Sequence, residues 1–227
     1  MNNSTQALNR LKEGNKRFVT GVRSVDAMVT SHRRAELAQN GQKPFAIILS
    51  CADSRVPAEQ IFDVGLGELF VCRVAGNIVA PSLIGSIEFA ATSFGTPLVV
   101  VMGHSACGAV QASLNAVLTD TRPESDNVNN IVLEITPAVQ QTLSVLKNHQ
   151  HPELLDHAID SNIDHSIDSL YSRSQVLRSL TESGKLEIVG AYYDMKSGEV
   201  RMHDNSAADI HRRARGQLPV NAPLQTK

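Results

Sequence analysis

Two short apolar runs constrain the fold of this chain more than any other feature of its sequence. Residues 45–50 read FAIILS and residues 98–103 read LVVVMG, and a proline precedes each run. Runs of this length that are almost wholly apolar and rich in β-branched residues are typical of strands buried on both faces, as in a parallel sheet covered by helices. We therefore expect a central sheet with helices packed on both sides.

Further segments complete an α/β pattern. Residues 68–73 indicate a third strand, and residues 81–94 carry apolar side chains at helical spacing after Pro81, which suits a helix start. Strand, helix and strand in this order imply a right-handed crossover. Near the end of the chain, residues 186–193 and 199–202 flank a turn and are typical of a hairpin. The predicted fold class is α/β, with a mostly parallel sheet of four parallel strands and an antiparallel edge strand, flanked by helices.

The chain, residues 1–227, is predicted to form a single domain because no repeat, low-complexity tract or interdomain linker interrupts it. Helical spacing of apolar residues predicts an N-terminal helical arm within residues 1–40. A polar stretch predicts a loop at residues 119–130, and the polar, proline-containing end predicts a frayed tail at residues 216–227. Helices are further expected at residues 25–39, 107–118 and 131–180, the last interrupted near Pro152.

Composition narrows the class of protein. The chain has 227 residues, of which 42% are hydrophobic and 19% charged, which is enough apolar material for a core and argues against disorder or a coiled coil. A formal net charge of −2 gives no support for a nucleic-acid partner. No apolar run approaches the roughly 18–20 residues that cross a bilayer, and the N-terminus lacks the apolar segment of a secretory signal. We expect a cytoplasmic protein with no membrane or nucleic-acid partner.

Side chains with metal-binding chemistry follow both apolar runs. Cys51, Asp53 and Arg55 come directly after the first run, and in an extended chain this spacing points all three to one side. His104 and Cys107 come directly after the second run, where a helix beginning at once would place both on one face. Open parallel sheets bind ligands beyond the carboxyl ends of their strands, so we expect the two motifs to meet there.

Two thiols and an imidazole, with or without a carboxylate, form a donor set that suits Zn²⁺ better than Mg²⁺ or Ca²⁺. Taken singly, each cysteine reads as a small core residue, and Asp53 with Arg55 reads as an ion pair or turn cap. The coincidence of two such motifs at two strand ends favours a zinc site instead. The chain has three cysteines, and an odd count in a chain without a secretory signal indicates reduced thiols.

At these motifs the sequence resembles the β-class carbonic anhydrases, whose marks are C-x-D-x-R and H-x-x-C. The resemblance runs through residues 51–79 and 85–110, and residues 184–200 fit the closing hairpin of the family. It implies one Zn²⁺ per chain, held by three ligands, with a fourth position that Asp53 either leaves to water or occupies itself. Arg55 is implied as the partner that draws Asp53 off the metal. The three implied ligands are Cys51, His104 and Cys107.

The resemblance also implies the reaction and the assembly. The reaction is reversible hydration of carbon dioxide to bicarbonate and a proton by a zinc-bound hydroxide. The implied assembly is a homodimer or tetramer, with the N-terminal helices packed on the partner subunit and the substrate pocket at the subunit boundary. From sequence alone, Phe70 and Phe89 read equally well as core residues. The implied pocket consists of Gln42, Phe70, Ala75, Phe89 and the backbone N–H of Gly108.

Three other functions remain open at this point. A hydrolase of carbonyl sulfide or carbon disulfide uses the same fold and ligands. A metal-free enzyme would use Cys107 as a nucleophile activated by His104. A closed zinc site with Asp53 as its fourth ligand would support a binding module without catalysis.

Other candidate residues are expected to play no part in catalysis. Cys72 lies in a predicted strand, which favours a packed thiol over a reactive one. The histidines at positions 149, 151, 157 and 165 lie among polar residues, which favours solvated side chains.

Overall fold

The two apolar runs form neighbouring strands at the centre of a five-stranded sheet. The structure is a computed structural model and describes residues 3–25, 30–147 and 150–217. Within these residues the strand order is β2-β1-β3-β4-β5. The first four strands run parallel and β5 pairs antiparallel with β4, which confirms the predicted fold class. The strands are β1 (Ala46–Ser50), β2 (Leu69–Arg73), β3 (Leu98–His104), β4 (Glu187–Tyr193) and β5 (Val200–Met202).

Burial on both faces explains the unbroken apolar pattern of the two central strands. Every residue of β1 and β3 is buried. Alternate side chains enter two different cores, so that Ile47 and Val99 pack on one side of the sheet and Ile48 and Val100 on the other. A strand with a core on each face has no solvent side, and this is why its sequence shows no alternation.

Nine helices surround the sheet within the described residues. None of them is both long and apolar enough to cross a bilayer. One core lies against α4 to α9 and the other against α1 and α3. The helices are α1 (Asn3–Thr20), α2 (Ser31–Asn40), α3 (Ala58–Ile61), α4 (Pro81–Ser93), α5 (Gly108–Thr119), α6 (Asp126–Val145), α7 (Leu154–Arg173), α8 (Gln175–Glu182) and α9 (Ala207–Ala214).

Side-chain caps explain why α2 and α6 begin at other residues than the sequence predicts. The Ser125 side chain accepts a hydrogen bond from the backbone N–H of Val128, so α6 begins at Asp126 and the predicted loop at 119–130 is too long. Thr30 caps α2 in the same way, and residues 26–29 of the predicted helix lie outside the described residues. The predicted frayed tail also lies outside them except for Gly216 and Gln217.

The two N-terminal helices differ in how they pack. Helix α1 buries Ala7 and Leu11 against the sheet of its own chain. Helix α2 buries no residue within the chain. Packing of the N-terminal arm on a partner subunit stays a prediction, and α2 is the part of the arm whose surface remains available for it.

Candidate metal centre

Three ligand side chains meet at the carboxyl edge of the sheet. Cys51 follows β1, His104 ends β3 and Cys107 immediately precedes α5. Their donor atoms all lie within 4.8 Å of one another, and all three residues are buried. Because β1 and β3 are hydrogen-bonded neighbours, the segments that follow them leave the sheet side by side. The structure thus brings together the two motifs that the sequence contains.

The turn between His104 and Cys107 differs from the predicted one. A helix does not begin at His104, since that residue still pairs with Tyr193 of β4 as the last residue of β3. The chain then turns through Ala106, whose φ of 53° is unusual for a residue with a Cβ atom. The Ser105 backbone N–H holds this turn by donating to the Tyr193 carbonyl at 2.9 Å. A strained turn, not a helical repeat, therefore brings the imidazole to the thiol.

The first motif is also not extended as predicted. Residues 54–55 form a turn, and the backbone N–H of Val56 donates to the Asp53 carbonyl at 3.1 Å. The turn folds Arg55 back onto Asp53. Its Nε donates to Oδ1 at 2.9 Å and its Nη2 to Oδ2 at 2.7 Å. The two side chains form a bidentate pair, as the resemblance implied, by a different backbone route.

The His104 ring is oriented for ligation. Its Nδ1 lies 2.9 Å from the Ser105 carbonyl oxygen, which can only accept, so Nδ1 carries the proton. The other ring nitrogen, Nε2, is fully buried and has no hydrogen-bond partner among the described residues. Buried polar atoms are nearly always paired, so an unpaired nitrogen next to two thiols marks a ligand position.

The two thiols lie next to each other and are surrounded by backbone donors. The hydrogen bond between the cysteines lowers the pKa of Cys51 to about 4 against the opposing effect of burial, and the amide of Gly76 adds a donor at 3.3 Å. The same hydrogen bond, together with burial, raises the pKa of Cys107, which backbone amides of Val110 and Ala109 partly offset. The N-terminus of α5 thus faces the Cys107 sulfur, where a helix favours negative charge.

These residues fit a zinc ion. Metal binding requires deprotonated thiols and a neutral imidazole, and the buried Nε2 of His104, which has no hydrogen-bond partner among the described residues, lies next to both thiols. Two sulfurs and one nitrogen match the borderline-soft character of Zn²⁺, and three protein ligands leave a fourth position open.

Asp53 is held apart from this ligand group. The hydrogen bonds from Arg55 keep the pKa of the Asp53 carboxyl well below its usual range, against a smaller effect of burial. A carboxylate in a bidentate pair with a guanidinium is less available as a metal ligand. The geometry therefore corresponds to the arrangement in which Asp53 leaves the fourth position free.

Arg73 belongs to the site although the sequence analysis gave it no role there. It ends β2, opposite Ser50 in the register. Its Nε donates to the Cys51 carbonyl at 2.9 Å, and its Nη2 donates to the Asp53 carbonyl. Arg73 thus fixes the backbone that presents both side chains. Its position at the end of a third parallel strand was the only sequence signal for this role.

Two of the five predicted pocket residues lie beside the ligands. Ala75 precedes Gly76, whose amide contacts the Cys51 sulfur. Gly108 follows Cys107 in the first turn of α5, and the space where its Cβ would lie is open. Both positions are therefore adjacent to the ligand group, and their role in a substrate pocket stays a prediction.

The other three predicted pocket residues lie elsewhere in the chain. Gln42 is exposed before β1, and the whole strand, roughly 16 Å long, separates it from Cys51. Phe70 and Phe89 pack against each other with ring centroids 6.5 Å apart and both contact Phe94. Phe89 is 52% exposed, so it is not the core residue that the alternative interpretation suggested.

A second group with metal-ligand chemistry lies at the start of α7. His151, Glu153 and His157 bring donor atoms within 4.8 Å of one another, and both imidazoles are partly exposed. However, His151 Nδ1 accepts the Glu153 amide at 3.2 Å, which leaves the ring proton on Nε2. Ligation would require breaking this bond, so the group fits a metal less well. His165 is half-buried, and His149 lies outside the described residues.

Comparisons with known proteins agree with this geometry. A family model described as carbonic anhydrase matches residues 46–200. The chain is 38% identical over 203 residues to carbonic anhydrase 2 of Mycobacterium tuberculosis, covering 89% of this chain and 94% of that one. It is 36% identical to a carbonic anhydrase of Mycolicibacterium smegmatis, covering 89% and 95%. Among solved structures it is similar to the β-carbonic anhydrase CcaA, with a TM-score of 0.70, 27% identity and 87% of both chains covered.

Proposed function

This chain belongs to the β-carbonic anhydrase family, and we propose that it hydrates carbon dioxide reversibly at a Zn²⁺ held by Cys51, His104 and Cys107. Identities of 36–38% with carbonic anhydrases over most of the chain support carbonate dehydratase activity. The observation that carries the zinc assignment is the buried, unpaired Nε2 of His104 beside two thiols. Each chain would hold one ion.

The metal and the protein would make different contributions to the reaction. A bound Zn²⁺ supplies Lewis acidity that lowers the pKa of a coordinated water from 15.7 toward about 7. The protein holds the donor set in place, because the Ser105 carbonyl orients the imidazole and Gly76 donates to the Cys51 sulfur. Burial of all three ligands excludes competing water from the bonds they form.

Asp53 and Arg55 would orient the reacting groups. Arg55 keeps Asp53 ionised. Oδ1 of Asp53 accepts hydrogen bonds from both the Nε and the backbone N–H of Arg55, whereas Oδ2 accepts one from Nη2 and retains a lone pair. An ionised acceptor at this position can accept a hydrogen bond from the O–H group of the nucleophile. This bond fixes the direction in which the nucleophile faces the substrate. We assign Asp53 as the hydrogen-bond acceptor that orients the nucleophile and Arg55 as the residue that holds Asp53 off the metal.

The pocket for carbon dioxide is proposed to combine two subunits. Ala75 and the backbone N–H of Gly108 lie beside the ligands of their own chain. Gln42, Phe70 and Phe89 would serve the site of a partner, since Gln42 lies at the opposite end of β1 from its own ligands. This arrangement requires a homodimer or tetramer. We retain the cytoplasmic location as a prediction from the sequence.

The experiment is stopped-flow hydration of carbon dioxide combined with metal analysis. We expect about one zinc per chain and fast hydration, both lost in Cys51→Ser. Cys72→Ser is the matched control, because Cys72 is also buried but lies outside the ligand group. Hydration that persists without zinc would contradict the proposal. Faster turnover of carbon disulfide than of carbon dioxide would instead favour the hydrolase, and zinc binding without either turnover would favour the binding module.

A further inference from the structure

A left-handed segment lies directly against the metal centre. Gly76 has a φ of 69° and Asn77 a φ of 45°, and both are buried. A Cβ at Gly76 would lie 2.6 Å from the Ile135 side chain, so only glycine fits there. The two residues turn the backbone so that the Gly76 amide faces the Cys51 sulfur. Asparagine tolerates this region of φ better than most residues with a Cβ atom, so the strain at Asn77 is small.

Two side chains of helix α7 hold this segment by hydrogen bonds. The Asn162 amide donates to the Gly76 carbonyl at 2.8 Å, and the Ser166 hydroxyl donates to the Asn77 carbonyl at 3.0 Å. Asn162 and Ser166 are one helical turn apart and only 1% and 2% exposed. Each of them is more than 80 residues from its partner in sequence. The two carbonyls of the left-handed segment are thus both fixed by one face of one helix.

We propose that Asn162 and Ser166 are positioning residues of the metal centre, which fix the Gly76 peptide so that its N–H donates to the Cys51 sulfur. A hydrogen bond to a thiolate withdraws electron density from the sulfur and so reduces its donation to a bound metal. The inference rests on the proposed function only in requiring that Cys51 ligates a metal. It assigns Asn162 and Ser166 an effect on the metal–sulfur bond beyond their contribution to packing.

The chain offers a control for that packing contribution. Thr142 of α6 is 3% exposed, and its hydroxyl donates to Ser161 of α7 at 2.8 Å. This bond is buried and joins α7 to a neighbouring element, as those of Asn162 and Ser166 do, but it does not reach residues 76–77. Thr142→Val should therefore lower stability without changing the metal–sulfur bond.

The test uses full-length protein loaded with Co²⁺ and compares Ser166→Ala, Asn162→Ala and Thr142→Val. In the first two variants we expect the thiolate-to-cobalt charge-transfer band to move to longer wavelength. We also expect loss of metal to a chelator to accelerate about tenfold, because a Cys51 sulfur without the Gly76 N–H is more basic and protons then compete better with the metal for it; this is the lower end of the effects seen for groups that support metal ligands. Thr142→Val should show neither change.

Two results would overturn the inference or separate it from the proposed function. If Ser166→Ala loses stability as Thr142→Val does, while its band and its metal-loss rate stay those of the wild type, the two α7 residues serve packing alone. Ser166→Ala decides the matter if Asn162→Ala does not fold, since it removes only one oxygen atom. A protein that binds Co²⁺ and shows the band shifts but hydrates no carbon dioxide would contradict the proposed function and support this inference.

Discussion

The metal centre and the outer face of α7 differ in whether their polar groups are paired by hydrogen bonds. At the metal centre a buried imidazole nitrogen has no hydrogen-bond partner within the described part of the chain, and the turn before Cys107 passes through a left-handed alanine. On α7, aspartates at every fourth position form what we call the aspartate ladder, and each of them is bonded to a residue of the C-terminal part of the chain. The ladder consists of Asp156 with Tyr192, Asp160 with Arg201 and His203, Asp164 with His203, and Asp168 with His211.

His203 shows how the ladder is held together. Its side chain is 2% exposed and lies between Asp160 at 3.0 Å and Asp164 at 3.1 Å. Burial alone would lower the pKa of His203, but the hydrogen bonds that its ring donates to the two aspartates outweigh burial and raise it to about 9. The imidazole is therefore charged and paired near neutral pH.

The comparison separates polar groups that serve the chemistry of the site from polar groups that stabilise the fold. Paired polar groups in the ladder stabilise the contact of α7 with His203, which follows β5, and with α9. Unpaired groups at the metal centre contribute little to folding until a ligand satisfies them. The same substitution, histidine to leucine, should therefore have opposite consequences in the two regions.

His104→Leu has the largest expected effect. It removes a metal ligand, so we expect zinc to be lost and hydration of carbon dioxide to fall by at least about 10³-fold, because water is no longer acidified. In chelator-treated protein the free energy of unfolding should change by less than about 1 kcal/mol, since the variant loses one unpaired nitrogen and one bond to Ser105. Urea unfolding of both metal-free proteins measures this. A metal-free variant much less stable than metal-free wild type would show that His104 also serves the fold.

His203→Leu should lower the stability of the fold and leave zinc binding and activity unchanged. Removing a buried charge from between two aspartates is expected to lower the free energy of unfolding by about 3 kcal/mol. Zinc content and the hydration rate per folded molecule should stay unchanged. Arg212→Ala, which breaks the exposed pair with Asp209, is the control and should leave urea unfolding as in the wild type. A fall in hydration rate that exceeds the loss of folded protein would contradict the separation of the two regions.

Arg55→Leu tests the one ion pair that the metal centre does contain. Without the guanidinium, the Asp53 carboxylate is free to occupy the metal, and we expect hydration to slow by about 30-fold. Stability should hardly change, because Arg55 lies at the surface. Stopped-flow rates beside urea unfolding give both quantities, and Arg33→Leu, which breaks another exposed pair, serves as the control. Equal rates for Arg55→Leu and wild type would remove Arg55 from the site.

The two regions also differ in how far the sequence predicts them. The strands and the convergence of the two motifs follow from local features, since an unbroken apolar run predicts a buried strand and residues that follow parallel strands meet at one edge. The turn at Ala106 was missed because alanine gives no signal for a positive φ. Arg73 was missed because its partners are backbone carbonyls, which carry no sequence signature.

The aspartate ladder could not be predicted for a different physical reason. Carboxylates at every fourth position of a helix indicate a solvated face, and only packing of β4 and α9 against α7 turns that face into a paired surface. The same limit applies to Asn162 and Ser166, whose partners lie more than 80 residues away. Periodicity identifies the face of a helix but not the element that covers it.

The smallest expected effect is a loss of stability at alkaline pH that originates in the ladder. The pKa of His203 is about 9 in the folded chain and about 6.5 when unfolded, so its contribution is complete below pH 6.5 and disappears as the pH rises through 9. Between pH 7 and pH 9 the free energy of unfolding of zinc-loaded protein should fall by about 2 kcal/mol more in the wild type than in His203→Leu. Urea unfolding of both proteins across this range measures the difference, and taking that difference cancels titrations that the two proteins share, including those at the metal centre. Parallel pH dependence in wild type and variant would mean that the charge on His203 does not stabilise the fold, and the two regions would then differ in packing but not in electrostatics.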